Sequence, residues 1–203
     1  LQCRAPISLR VNPDVDAQTH PYISTGLKDN KFGIAYHEVL NAYREAALLS
    51  QIDVVGIDCH IGSQITNTAP YLDALDKVLE LVTQLKKEGI EIHHLDLGGG
   101  LGISYGEDQP PDITDFTNTL LNRVAECGFG HLDVVLEPGR SLVGNAGVLL
   151  TRVEYLKPGA EKNFCIVDAA MTELMRPALY EAYHGIVPVQ TKAVKSTSYD
   201  IVG

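Results

Sequence analysis

The chain has 203 residues, 45% of them hydrophobic and 21% charged, with a net charge of −10. That fits one ordinary globular domain, or a piece of something larger. The acidic balance argues against general nucleic-acid binding, which needs clustered Lys and Arg, and apolar runs such as Ala146–Leu150 are far too short to cross a membrane.

Short apolar stretches alternate with amphipathic ones over the first two thirds of the chain. Pro6–Pro13, PISLRVNP, reads as a strand closed by Asn12-Pro13. Tyr36–Ser50 carries Val39, Leu40, Tyr43, Ala46 and Ala47 at helical spacing. Ile52–Ser63, IDVVGIDCHIGS, is a second strand with the loop at its carboxyl end. Pro70–Glu88 is a helix with Leu72, Leu75, Val78, Leu79, Val82 and Leu85 on one face, and Gly89 stops it. IEIHHLDLGGG is a third strand. Ile113–Cys127 is a helix with Thr114 or Asp115 as its expected cap, and His131–Arg140, HLDVVLEPGR, is a fourth strand. β-then-α units in succession predict a parallel sheet, open or closed into a barrel.

Beyond Arg140 the pattern turns to β. Gly147–Lys157, NFCIVDAA, VPVQT and SYDIVG read as strands without helical crossovers, so a boundary falls near Gly144–Gly147. Both ends read as cut: no initiator methionine or leader pattern opens the chain, and the strand pattern is still running at Gly203. Cys3, Cys59, Cys127 and Cys165 are widely spaced and form no CxxC pair. A reduced, cytoplasmic protein is the expectation.

In βα architectures ligand sites gather at the carboxyl ends of strands. That rule selects three places. Gly98-Gly99-Gly100 lacks the third glycine of a dinucleotide fingerprint, since Ile103 stands there, and no GxxxxGK[ST] loop is present. Two readings remain, a tight turn needing positive φ or a nest of amides for one phosphate monoester; three glycines after an apolar strand favour the nest. In Glu137-Pro138-Gly139-Arg140 the arginine offers a fixed cation for phosphate or carboxylate, and the glutamate, ending an apolar strand, is expected at the mouth of the sheet. An ordinary Glu–Arg pair across a turn would look the same. In Cys59-His60-Ile61-Gly62-Ser63-Gln64, Asp58 and His60 share one strand face, and Gly62 and Ser63 offer an amide and a hydroxyl to a phosphate. A lone histidine is more often structural. Asp58, His60, His94 and Asp96 also form a rival metal-ligand set of the kind found in hydrolase barrels.

HIGSQ, LDLGGGLGISY and EPGR in this order make the chain resemble the fold-type III pyridoxal phosphate (PLP)-dependent decarboxylases. The segment Asp168–His184, DAAMTELMRPALYEAYH, with SLRVNPDVDAQTHPYISTG and NKFGI, is similar to the branch acting on meso-2,6-diaminopimelate. The resemblance covers essentially the whole chain. It implies a (β/α)8 TIM-type barrel followed by a β domain, with residues 1–145 as the last four barrel units and 146–203 as the start of the β domain, including a short helical substrate-binding segment near 171–184.

By motif, it implies that His60 stacks on the cofactor ring and that Glu137 keeps the pyridine nitrogen protonated. Ser63, Gly98, Gly99, Gly100, Gly139 and Arg140 hold the phosphate, with Pro138 shaping the turn. Arg140, Arg176 and Tyr180 grip the substrate's distal carboxylate. The resemblance further implies decarboxylation to L-lysine and CO2, a homodimer with shared sites, and an amino-acid substrate rather than nucleic acid or membrane as partner. Alternatives are a relative acting on arginine, ornithine or carboxynorspermidine, or a non-catalytic PLP-binding barrel.

The family's cofactor lysine stands in a VKAN-like segment that has no counterpart here. Lys28, Lys31, Lys77, Lys86, Lys87, Lys157, Lys162, Lys192 and Lys195 fall in loops, on helix faces or in the β region. A cysteine–glutamate segment is likewise expected beyond Gly203. The 203 residues alone are therefore expected to be inactive.

Overall fold

The computed structural model describes residues 3–17, 31–106, 108–190 and 197–203. Lys28, Lys192, Lys195 and Thr191 of VPVQT lie outside the described residues, as does most of DAQTHPYISTG. The chain divides into two units, one of residues 1–104 and 108–145, the other of 105–107 and 146–203.

The first unit is an α/β structure built on a parallel sheet. Its strands are β1 (Ala5–Asn12), β2 (Ile34–Ala35), β3 (Ile52–Cys59), β4 (His94–Asp96) and β5 (Asp133–Val135), in the order β2-β1-β3-β4-β5. Every pairing is parallel. The intervening helices are α1 (Val39–Ala47), entered through a 3-10 turn at Tyr36–Glu38, α2 (Ala69–Lys87), α3 (Ile113–Glu126) and the short α4 (Arg140–Val143).

The register explains how one sheet serves both packing and chemistry. Leu9, Ile57, Leu95 and Val134 lie side by side across four strands, and the next residues along, Arg10, Asp58, Asp96 and Val135, form the following row. Side chains alternate faces along a strand. The first row therefore belongs to the core, where Ile57 and Leu95 are fully buried against α2 residues such as Leu75, Val78 and Leu85. The second row gives the opposite face its charge. A one-residue shift between Ile7 and Ser8 leaves Val55 unopposed on β3 and sets this register.

α2 ends as expected, at Lys87 before Gly89, which adopts φ +79. The cap of α3 is Asp112, not Thr114 or Asp115. Its side chain accepts from the amides of Thr114 and Asp115, so those residues are recipients of the cap rather than the cap itself. The third and fourth strands are shorter than their apolar runs, because pairing covers only His94–Asp96 and Asp133–Val135. β2 has only two residues, too few to show any periodicity.

The second unit contains a three-stranded sheet of β6 (Val153–Lys157), β7 (Phe164–Val167) and β8 (Asp200–Val202), with α5 (Arg176–Tyr180) between β7 and β8. β6 and β7 are antiparallel, whereas β7 and β8 are parallel. Residues 147–152 of the expected first strand lie outside β6, although the Arg152 carbonyl still accepts from the Asp168 amide at 3.2 Å. VPVQT reads as a strand, but residues 187–190 form none; Val187 and Val189 find no partner strand among the described residues, and Pro188 has no amide to donate to one.

Candidate functional site

Three segments named from the sequence meet in the first unit at the carboxyl ends of β3, β4 and β5. The glycine loop is held from several sides. The Gly98 amide donates to Asp96 Oδ1 at 2.8 Å, and the Gly99 amide to His60 Nδ1 at 3.2 Å. The Gly99 carbonyl accepts from Tyr71 Oη at 3.0 Å, the Gly98 carbonyl from the Glu137 amide at 2.8 Å, and the Gly100 carbonyl from the Ile65 amide at 2.9 Å. Among the described residues the Gly100 amide has no acceptor.

Close approach, as well as conformation, demands glycine here. A Cβ on Gly99 would lie 2.0 Å from the Glu137 carbonyl oxygen, and one on Gly100, whose φ is +99, would lie 2.1 Å from that of Gly62. The tight-turn reading of the glycines therefore holds: two loop amides, those of Gly98 and Gly99, are spent on building the turn, and that of Gly100 is not.

His60 follows β3 and is half-buried. Because a backbone amide can only donate, Nδ1 must be the unprotonated nitrogen, so His60 is neutral with its proton on Nε2. Burial lowers its pKa, and the nearby Arg10 charge lowers it further, while Glu137 and Asp96 oppose this. Asp58 is raised, by burial first; Asp96 and Glu137 add to this, and Ser8 and Arg10 counter it. Its Oδ1 accepts from Ser8 Oγ at 3.1 Å.

Arg10 was missed in the sequence. Ser8, Arg10 and Asn12 recur at the period of two that marks a strand's second face, and that was the available signal. The Arg10 guanidinium also lies 5.0 Å from the centre of the Phe32 ring.

Gln64, the last residue of HIGSQ, carries no chemical signature in the sequence. It adopts φ +58, rare for a residue with a side chain, and its amide joins two loops. Oε1 accepts from Arg140 Nη1 at 3.0 Å and from the Ile103 amide at 3.2 Å, while Nε2 donates to the Ile103 carbonyl at 2.6 Å.

Glu137 is exposed and stands beyond the end of β5 rather than closing the strand, although its charge reaches both His60 and Asp58. Gly139 caps α4, and Arg140 opens it. Pro138 lines a small apolar cavity with Gly98, Gly99, Tyr71, Phe116 and Leu136. Ser63 is half-buried just past His60. Arg176 and Tyr180 lie in the second unit, at the two ends of α5.

No group of three or more His, Cys, Asp or Glu side chains among the described residues is disposed to hold a metal ion. Asp58 and Asp96 are instead bonded to Ser8 and to the Gly98 amide. Lys77 donates to the Pro13 and Asp14 carbonyls, at 2.9 and 2.7 Å. The four cysteines are free, and no helix among the described residues is long and apolar enough to cross a membrane.

Residues 1–144 match the family model described as pyridoxal-dependent decarboxylase, pyridoxal binding domain. The chain belongs to this family. It is 53% identical to diaminopimelate decarboxylase of Vibrio cholerae and 56% identical to that of Pseudomonas aeruginosa, in both cases over 100% of its own length and 48% of the relative's. The crystal structure of diaminopimelate decarboxylase from Helicobacter pylori complexed with L-lysine is similar at a TM-score of 0.91 and 39% identity. That match covers 99% of this chain and 49% of the other. The chain thus spans about half the length of the curated relatives it matches. The family's cofactor is pyridoxal phosphate.

Proposed function

We propose that this chain supplies the cofactor-binding half of an enzyme that decarboxylates meso-2,6-diaminopimelate to L-lysine and CO2. Residues 1–145 are read as the last four units of a (β/α)8 barrel and 146–203 as the start of a β domain, in a cytoplasmic homodimer with shared sites. The first unit's site residues fit a phosphorylated pyridine. The Gly100 amide has no acceptor among the described residues, the Arg140 guanidinium donates to Gln64 in the loop that carries Ser63, and the neutral His60 ring is fixed by its bond to Gly99. That His60–Gly99 bond carries the conclusion, because it ties the expected ring-stacking residue to the expected phosphate loop.

Bound pyridoxal phosphate supplies an electron sink for the pair left on carbon as CO2 departs, and the sink is stronger when the ring nitrogen is protonated. The residues divide the remaining work. Ser63, Gly98–Gly100, Gly139 and Arg140 bind the phosphate, with Gly98 and Gly99 shaping the loop and Gly100 donating to the anion. Pro138 sets the turn before Gly139. Glu137 holds a proton at the pyridine nitrogen. His60, kept uncharged, packs on the ring without repelling that proton. Arg140, Arg176 and Tyr180 take the distal carboxylate, which guanidinium groups distinguish from the distal ammonium of ornithine.

The test uses the natural full-length protein with PLP. Release of CO2 and formation of L-lysine from diaminopimelate are expected, as is a pyridoxyl-lysine after borohydride reduction. The expected label lies outside residues 1–203. A label on a lysine within them would overturn the site, and turnover of ornithine or arginine in preference to diaminopimelate would overturn the substrate.

A further inference from the structure

We propose that His184 and Tyr105 are positioning residues that aim the Arg176 guanidinium at a substrate carboxylate. The inference rests on the reading of Arg176 as a carboxylate ligand and adds how that ligand is held.

All three residues belong to the second unit. Arg176 opens α5, and Glu181, at φ +52, ends the helix in a left-handed turn that brings the chain back. His184 then lies with Nε2 3.1 Å from Arg176 Nη1. An arginine nitrogen can only donate, so Nε2 must accept. His184 is therefore neutral, with its proton on Nδ1. The Arg176 guanidinium carbon lies 4.6 Å from the centre of the Tyr105 ring, and that ring meets His184 edge-on at 5.1 Å and 73°. One ring thus lies under the guanidinium carbon while the other binds a corner.

What is left over points to a ligand. Arg176 Nε is buried without a hydrogen-bond partner among the described residues. Buried donors are almost always satisfied, and one that is not calls for an acceptor. With Nη1 engaged by His184, Nε and Nη2 form the remaining fork, whose parallel donors match the two oxygens of a carboxylate. A neutral histidine holds the arginine without cancelling its charge. An aspartate or glutamate in the same place would fill the fork's electrostatic demand and leave nothing for the substrate.

The test is steady-state kinetics of the full-length holoenzyme, with cofactor content read from its absorbance. His184→Ala is expected to raise KM for diaminopimelate about tenfold, the scale of one charge-assisted hydrogen bond, with kcat and bound cofactor little changed. His184→Gln presents a carbonyl acceptor to Nη1 and should restore most of the affinity. Tyr105→Leu should raise KM in the same way, and Tyr105→Phe, which keeps the ring, should not. An unchanged KM in folded His184→Ala or Tyr105→Leu enzyme overturns the inference, as does a His184→Gln variant as impaired as His184→Ala. Failure of the unsubstituted enzyme to act on diaminopimelate would instead sink the proposed function on which the inference rests.

Discussion

The Gly99 amide donates to His60 Nδ1, which fixes the histidine's protonation before any ligand arrives. Adding a proton to Nδ1 would set donor against donor. The ring is thus held neutral by geometry as well as by burial and the Arg10 charge.

His60 is accordingly expected to titrate below its ordinary 6.5, and the Gly99 amide should shift with the same midpoint. The folded state binds the proton less readily than the unfolded chain, so the stabilisation is complete above 6.5. It is lost as pH falls through the lowered folded value. Asp58, raised by burial, works in the opposite sense: its contribution is present at low pH and lost as pH rises through its folded value. Histidine-labelled NMR separates the two, and a His60 midpoint at or above 6.5 would refute the assignment.

Gly99→Ala should destabilise the fold by about 1–3 kcal/mol or more, as overpacking does, because its methyl would meet the Glu137 carbonyl oxygen at 2.0 Å. Gly147→Ala is the control, with nothing within 4 Å of its added carbon. Denaturant midpoints of the two variants check this, and equal midpoints would mean that the loop yields.

Gln64→Ala removes both ties, to Arg140 and to Ile103. A loss of about 1–3 kcal/mol is expected, together with weaker retention of the cofactor's phosphate. Gln64→Gly relieves the positive φ yet makes no bond. Recovery of stability without cofactor affinity is therefore its expected outcome, measured by dialysis against phosphate. Full retention in both variants would deny the side chain its role.

In the core, Leu75→Ala should cost about 2–5 kcal/mol, since Leu75 is fully buried within the cluster that joins α2 to the sheet. Thermal unfolding reads the effect directly.

The elements most legible in the sequence were those whose burial follows a clean period. α2 repeats its apolar residues over 19 positions, and its ends fell within a residue of expectation. β4 and β5 were visible as apolar runs, but their lengths depend on what the neighbouring strand pairs with, which no local pattern records. The same limit applies to the site. Glycines and charged residues at strand ends were visible as places; the partners of each atom were not. That Gly98 and Gly99 spend their amides on Asp96 and His60, or that Gln64 reaches 76 residues along the chain to Arg140, follows only from tertiary contact.

The unopposed Val55 makes the sheet a structure of two phases. On its amino-terminal side Ile7 faces Val54, and on the other Ser8 faces Gly56. Side-chain direction reverses with every residue of slip, so Arg10 and Asp58 stand together only because one residue has been stepped over. The step is anchored from the next strand's approach, where the Val55 carbonyl accepts from the His93 amide at 2.8 Å. The far end of β1 and β3 is thereby uncoupled from the chemical end. Insertions and deletions around Ala5 and Ile52 can be absorbed there, whereas pairing Val55 with Ser8 in unbroken register would set Arg10 against Ile57 and exchange the inside of the sheet for its outside.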